Sequence, residues 1–427
     1  MAESGYGLAV RTSDPPDDGG SRAPRAVIIG AGPAGSTAAI LLAQAGWAVA
    51  IVEKQAFPRR KVCGECIAAP NLQLLDALGL DGAFNALAGA PLRRVALFAG
   101  RHRFHAELPA FETGPYRWGK ALGREYLDTL LLQRAADAGA TVLQPWMVRS
   151  VDGEPGDFRC TVTTTGTNAT LTSPVVIAAH GSWEPPPYAH PQPARRPGDL
   201  FGFKANYRNG ALAAGTLPVL ALPGAYGGMV VGDHDTLTLA CCIRRDVLAA
   251  SRRRYDAHTA AQAVETYLTE HCSGVADVLR GAERQGAWLS AGPLRPGIRL
   301  DAYDSRRPFA IGNAAGEAHP IIGEGISMAM QSAWLLCRHL TARTGDADTP
   351  AYYRELRRTY AGAWRQHFVP RMRLAAAFAH LAMQPAMTTL ACAMLQRWPA
   401  LLTHGARYSG KIRSAMEMEL GNAGGRH

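Results

Sequence analysis

Three features of this 427-residue chain predict a mixed α/β fold. Residues 25–54, RAVIIGAGPAGSTAAILLAQAGWAVAIVEK, run from a β-branched apolar strand through a glycine-rich turn into an Ala/Leu helix, then out along a second strand. Residues 307–340, RPFAIGNAAGEAHPIIGEGISMAMQSAWLLCRHL, again show a strand, a glycine turn and a long helix, here beginning near Glu324. Between the two lie short β-like runs such as DFRCTVTTT, LFGFKANYR and TLTLACCI, separated by Gly and Pro. From about residue 349 the pattern is mostly helical, opening with the amphipathic stretch YYRELRRTYAGAWRQHF.

The length permits one large or two medium domains, each able to bury its own core. Residues 1–23, rich in Pro, Gly, Asp and Ser, read as a disordered leader. The eight cysteines (63, 66, 160, 241, 242, 272, 337 and 392) show no framework spacing and follow no secretory signal, which points to a reducing cytoplasm without structural disulfides. Net charge is +10 and almost wholly arginine, since lysine occurs only at 54, 61, 120, 204 and 411. Pairs such as Arg195-Arg196, Arg244-Arg245 and Arg306-Arg307 have two readings, a solvated basic surface or a contact with phosphate, anionic lipid or an acidic carrier protein.

No run of 18 residues is apolar enough to predict a spanning helix. The nearest, LAAAFAHLAMQPAMTTLACAML (374–395), is expected to break at His380, Gln384 and Pro385 into two short helices. These would pack into the main domain, lid an apolar pocket, or lie on a membrane, so the expected location is cytoplasmic with membrane association as a second option. No metal-ligand set, nucleophile elbow or nucleic-acid module is present, and the chemistry is expected to reside in a cofactor.

The first β-α-β unit indicates which cofactor. Gly30 allows a tight turn, Gly32 lets the backbone approach a pyrophosphate, and Gly35 lets helix and strand pack closely. Ala34 and Lys54 flank the same contact, and the helix N-terminus offers free N–H groups to phosphate. Glu53 ends the second strand where an acid accepts hydrogen bonds from an adenosine ribose. The motif alone leaves NAD and FAD open. A second nucleotide-contacting element near Gly312 implies one extended ligand held by both ends of the chain, and FAD has that reach.

GAGPAG with Glu53, FPRRKVCGE (57–65), GREYLD (123–128) and GNAAGEAHPIIGEGI (312–326) together resemble the FAD-dependent superfamily of para-hydroxybenzoate hydroxylase, the flavin-dependent halogenases and the geranylgeranyl reductases. The resemblance spans roughly residues 25–340. It implies a Rossmann-type FAD-binding domain (24–90, 115–182 and 285–345), an interleaved β-sheet substrate domain (91–114 and 183–284) and a C-terminal helical region (346–427). By the same resemblance Arg124 holds FAD phosphates and Asn313, beside Gly312, stands where the family has an Asp that binds ribityl or ribose hydroxyls. Further cofactor contacts are expected at Val148, Gly323, Gly325 and Ile326. The family's Asp-Gly pair appears as His180-Gly181, which leaves the electron donor open between NADH or NADPH directly and a partner flavin reductase.

Physically, a helix starting after GEG aims its positive end at the flavin edge where reduction leaves negative charge. Cys63, Glu65 and His319 are the catalytic candidates, with Glu65 a proton donor or substrate anchor and His319 either a chemical participant or a loop cap. Tyr226 and Pro320 are the substrate-facing candidates, and the runs at 158–179 and 199–242 are expected to form the pocket floor. Cys63 and Cys66 stand as C-x-x-C but lack a thioredoxin or zinc context, so only Cys63 is expected beside the flavin.

Three reactions share this scaffold. Halogenation wants a lysine after the helix following the CGE loop and a W-x-W-x-I-P segment; the neighbourhood reads APLRRVALFA and no W-x-W occurs. Reduction of isoprenoid or other C=C bonds is supported by KVCGE and the apolar C-terminal helices, though a Y-x-W-x-F-P segment is missing. Monooxygenation of a hydrophobic aromatic or polyketide-like molecule of secondary metabolism is the leading expectation, since it needs reduced flavin, a dry pocket and a held substrate. A scaffold that binds FAD without turnover is the non-enzymatic alternative. The substrate is expected to be free or tethered to a carrier protein.

Overall fold

The computed structural model describes residues 10–13, 23–112, 114–181, 187, 194, 196–300, 307–342 and 349–408. Arg195, Arg306 and most of the expected leader lie outside the described residues. Within the leader, residues 10–13 lie against the domain: Ser13 N–H donates to the Val142 carbonyl at 2.8 Å and Arg11 pairs with Asp137 at 2.7 Å.

The glycine turn follows the central strand of a five-stranded parallel sheet ordered Phe309–Ala310, Val175–Ala178, Ala26–Ile29, Val49–Val52, Thr141–Leu143. Each central strand is a run of four buried apolar residues, as a sheet covered on both faces requires. Ala26, Ile28, Val175 and Ile177 face a helical layer. Val27, Ile29, Val52 and Val176 face a three-stranded meander, Met147–Glu154, Asp157–Thr164 and Thr167–Ser173, through Phe158, Cys160 and Val162. Residues 158–173 therefore cover the nucleotide sheet and do not belong to the substrate floor expected for them.

The helices follow in chain order. Helix α1 (Pro33–Gln44) rises from the glycine turn. Helices α2 (Ala69–Ala77) and α3 (Asp81–Leu87) bury Leu72, Leu75, Phe84 and Leu87 in the same core as the parallel sheet before the chain enters the second sheet at Arg94. Helix α4 (Arg124–Asp137) covers the parallel sheet with α1, and α5 (Arg245–Arg254), α6 (Ala260–His271) and α7 (Ser273–Leu279) cover the second sheet. Helix α8 (Gly325–Thr341) returns beside α1. Helix α9 (Pro350–Met383), α10 (Pro385–Arg397) and α11 (Ala400–Tyr408) close the chain.

The second sheet has eight strands and is antiparallel apart from Thr216–Leu222, which runs parallel to Arg94–Ala99. One face packs on α6 and α7 through Phe203, Ala205, Leu239, Val264, Leu268 and Val275. The opposite face carries Leu97, Val219, Tyr226 and Ala240 toward a cavity. Strand Leu289–Leu294 joins this sheet, so its last strand comes from beyond residue 284.

The C-terminal region departs from expectation at one point. His380 causes no break: residues 350–383 form one helix, which bends by 97° into α10 only at Gln384–Pro385. Gln384 leaves the helical region (φ −99, ψ 114) and Pro385 occupies the first turn of α10, where a proline is tolerated, whereas Pro370 lies inside α9 without ending it. Helix α9 is tied to the fold by a buried network. Arg371 pairs with Glu324 and donates to Gln331 Oε1 at 2.8 Å, and Gln331 Nε2 donates to Asn71 Oδ1 at 2.7 Å.

Candidate active site

Between the two sheets lies a cavity of about 1140 Å³ that runs from the glycine turn, past the 59–66 loop and the start of α8, to the end of α9, α10 and α11. Its nucleotide end is built by close packing. A Cβ on Gly35 would stand 1.9 Å from the Gly30 carbonyl oxygen, and Gly30 itself has φ +100 against Ala179 and His180. Both positions thus exclude any side chain. Gly32 has only Arg124 Nη2 within reach of a Cβ, at 3.8 Å, which leaves space over the turn. The first turn of α1 has no acidic residue and no side-chain cap, so its N–H groups remain available to an anion.

Cations gather at this spot. Arg124 is buried and holds Asp128 through two hydrogen bonds of 2.7 Å. Arg59 lies 3.5 Å from Glu53 and 3.7 Å from Asp128, and its buried Nε has no hydrogen-bond partner. Lys61 Nζ lies 3.9 Å from where a Cβ on Gly181 would stand. Its burial, with Arg124 and Arg59 close by, lowers its pKa from 10.5 to about 8. Three cations around an open glycine turn, one with an orphaned donor, fit the diphosphate of FAD.

Glu53 lines the cavity, with Ala31 N–H donating to Oε2 at 2.9 Å and Gln55 N–H to Oε1 at 3.0 Å. Ala34, Lys54, Val148, Gly312, Asn313, Gly323, Gly325 and Ile326 also lie on the wall, whereas Gly35 lies inside α1 and acts through packing. The turn at Gly312 is held by the Ser332 hydroxyl, which accepts its N–H at 3.0 Å, and the Asn313 carbonyl accepts from Arg299 at 2.7 Å. The N-terminus of α8 faces the cavity, and Glu324, the one carboxylate there, is paired with Arg371, so the helix keeps its positive end.

The catalytic candidates separate. Cys63 is half-buried on the wall, and its Sγ accepts the Glu65 N–H at 3.3 Å. Cys66 is buried and its thiol donates to the Gly64 carbonyl at 3.3 Å. Glu65 is buried with a left-handed backbone (φ 58). Its carboxylate pairs with the fully buried Lys204 and accepts from Thr238 Oγ1 at 2.7 Å and from Arg124 N–H at 3.0 Å. A carboxylate with three donors is an anchor between the flavin loop, α4 and the second sheet.

His319 does not reach the cavity. It stands behind Tyr226, whose hydroxyl lies 3.1 Å from His319 Nδ1, and it meets the His380 ring edge-on at 5.5 Å. Burial and the neighbouring His380 lower its pKa to about 4, so the ring is neutral where it shares a hydrogen bond with the Tyr226 hydroxyl. Burial, with Cys242 close by, raises the Tyr226 pKa well above 10. Tyr226 and Pro320 both line the cavity.

Lys61, Arg59, Lys204 and Thr238 were not singled out from sequence. The basic run RRK beside the glycine-loop acid was a usable signal for the first two. For Lys204 the signal was a lone lysine inside the apolar strand LFGFKANYR, which must find a counter-charge when buried. Thr238 had none, since its contact depends on strand register.

Residues 24–194 match a family described as FAD binding domain. Among curated proteins, tryptophan 2-halogenase of Chondromyces crocatus is 25% identical over 358 residues, covering 79% of this chain and 65% of the halogenase, so the chain spans just under two thirds of that relative. Kynurenine 3-monooxygenase of Salinispora arenicola is 26% identical over 386 residues, covering 79% of this chain and 77% of that protein. Among solved structures, the p-nitrophenol 4-monooxygenase PnpA from Pseudomonas putida superposes with a TM-score of 0.67 at 14% identity, covering 95% of this chain and 99% of the other.

Proposed function

We propose that this chain, which belongs to the FAD-dependent oxidoreductase superfamily, is a monooxygenase that hydroxylates a hydrophobic aromatic or polyketide-like small molecule. The observation that carries the reading is the continuity of one cavity from the cation-lined glycine turn to an apolar chamber floored by Val219, Tyr226 and Ala240 and roofed by Phe378 and Leu381. Such a chamber excludes water from the reacting atoms, which an oxygen-inserting reaction needs to avoid wasteful side reactions. A relative named kynurenine 3-monooxygenase, aligned over most of both chains, supports the same reading.

FAD would be held by Arg59, Lys61 and Arg124 at the diphosphate, by Glu53 and Asn313 at hydroxyls, and by the α8 N-terminus at the flavin edge. Once reduced by NADH, NADPH or a partner flavin reductase, it supplies the electrons that let dioxygen place one oxygen atom in product and one in water. The chain's own part is positioning. Apolar walls fix the substrate, and Tyr226 presents a hydroxyl that stays protonated because its pKa is raised. Behind it His319 Nδ1 lies within hydrogen-bond distance of the Tyr226 hydroxyl and fixes its orientation, and the exposed His380 packs edge-on against the His319 ring.

Reduction of a C=C bond is the second reading. Glu65 takes the left-handed backbone that a glycine adopts at least cost, so the KVCGE loop has the backbone suited to a C-G-G sequence, with a carboxylate added to anchor Lys204. A relative named menaquinone reductase from Mycobacterium tuberculosis shares 33% identity over 117 residues. Turnover under isotopically labelled dioxygen separates the two: hydroxylation puts label in product, and reduction adds two hydrogens without label.

A further inference from the structure

Among the described residues eight large apolar side chains stand exposed, and six of them fall between Leu381 and Leu401. Leu381, Met387, Leu390, Met394 and Leu401 also line the cavity, so its wall continues outward onto the surface of the protein. Helix α10 buries only Cys392 and Leu395, yet its polar residues are limited to Thr388, Thr389, Gln396 and Arg397. A helix apolar on both its inner and outer faces needs a second apolar environment. Trp398, 54% exposed, is stacked by Arg397 at 5.8 Å, a pairing suited to the zone between headgroups and acyl chains.

Charge identifies that environment. No Asp or Glu occurs between Glu355 and Glu417; of the arginines there, Arg357 and Arg371 are buried inside the fold, while Arg373 and Arg397, on the end of α9 and on α10, stand exposed. Exposed Arg373 and Arg397, on helices that carry no acid from the end of α9 through α11, give this apolar mouth a basic flank suited to an anionic bilayer surface. A carrier protein would also present acidic charge, but it does not offer an apolar phase to Leu390, Met394 and Trp398 together.

We infer that the end of α9, α10 and α11 form a bilayer-contact surface on which the cavity opens directly into anionic lipid. No single described helix is long and apolar enough to cross, and α9 and α10 reach that length only as a pair bent by 97°, a geometry in keeping with helices lying in the interface. With the monooxygenase reading, on which this last step rests, the substrate is a membrane-dissolved amphiphile: its aromatic head travels inward to Tyr226 while its apolar tail lies along α10.

Vesicle flotation of the FAD-loaded full chain tests the surface independently of turnover. The expected result is binding to phosphatidylcholine vesicles containing phosphatidylglycerol, and roughly fivefold weaker binding to neutral vesicles for each arginine engaged. The double change Leu390→Glu and Trp398→Glu should weaken binding at least about tenfold, equivalent to ~1.4 kcal/mol of lost insertion, while Ile298→Glu, at an exposed apolar side chain away from the mouth, should not. Flavin absorbance reports whether the double variant still folds. A milder variant covers the case in which it does not: brominated lipids should quench a tryptophan signal that Trp398→Phe removes. Flotation that fails with both vesicle types, flotation unchanged in the double variant, quenching unchanged in Trp398→Phe, or capture by an acidic carrier protein without vesicle binding would each overturn the inference.

Discussion

Replacing Lys61 by Met tests the assignment of the glycine-turn cations to a diphosphate. Burial, reinforced by Arg124 and Arg59, brings the Lys61 pKa down from 10.5 to about 8. With that value the ammonium is about nine tenths protonated at pH 7 and about one tenth at pH 9. A diphosphate binds the charged form, so the dissociation constant for FAD should rise about tenfold from pH 7 to pH 9. The sign reverses for folding of the cofactor-free protein. Between pH 8 and the unfolded value near 10.4 the unfolded chain binds the proton and the folded chain does not, so stability rises with pH across that interval. Lys61→Met should remove both slopes, weakening FAD at pH 7 while leaving affinity at pH 9 close to that of the unaltered protein. FAD titration by flavin fluorescence and thermal melts from pH 7 to 10 measure the two effects. A flat dissociation constant in the unaltered protein, or an unchanged slope in Lys61→Met, would refute the reasoning.

Further outcomes follow from the geometry. Gly35→Ala should purify without bound FAD, because its Cβ would stand 1.9 Å from the Gly30 carbonyl oxygen; retention of flavin absorbance would show that the turn yields. Lys204→Met leaves Glu65 buried without its counter-charge and should cost about 3–5 kcal/mol, read as a lowered denaturation midpoint, with Glu65→Gln in the same chain recovering part of the loss. Tyr226→Phe should lower turnover about tenfold to a hundredfold with FAD affinity unchanged, as loss of one positioned proton-transfer group does. His319→Gln should fall in the same direction. Because the His319 pKa is about 4, turnover in the unaltered protein should show no inflection near pH 6.5 from this ring.

The nucleotide half of the fold is legible in the sequence because its determinants are local. Gly30, Gly32, Gly35 and Glu53 lie within one β-α-β unit, where Gly35 packs on Gly30 and Glu53 accepts the Ala31 N–H, although Gly30 also packs on the distant Ala179 and His180. Allocation of strands to sheets is not legible in the same way. Alternation marks Asp157–Thr164 as a strand, but its placement under the parallel sheet depends on Phe158 and Val162 meeting Val27 and Val176, contacts that periodicity does not encode. His380 looked like a helix interruption because it is polar in an apolar run, yet a histidine on an exposed face costs a helix little, and the break comes where Gln384 turns extended ahead of Pro385. Glu65 illustrates the other gap: three donors from positions 124, 204 and 238 converge on it, a constellation visible only after the sheets have paired.

The C-x-x-C pair resolves along the same line. Both cysteines line the cavity, but their thiols make different contacts, Cys63 Sγ accepting the Glu65 N–H and Cys66 donating to the Gly64 carbonyl, and among the described residues no disulfide joins any cysteines.

Product mass after a single turnover under labelled dioxygen, with the FAD-loaded protein reduced beforehand and a phenolic amphiphile supplied in vesicles, tests the proposed chemistry most directly. One labelled oxygen atom in the product is the expected result. A product heavier by two hydrogens and free of label, formed equally well without oxygen, would contradict it.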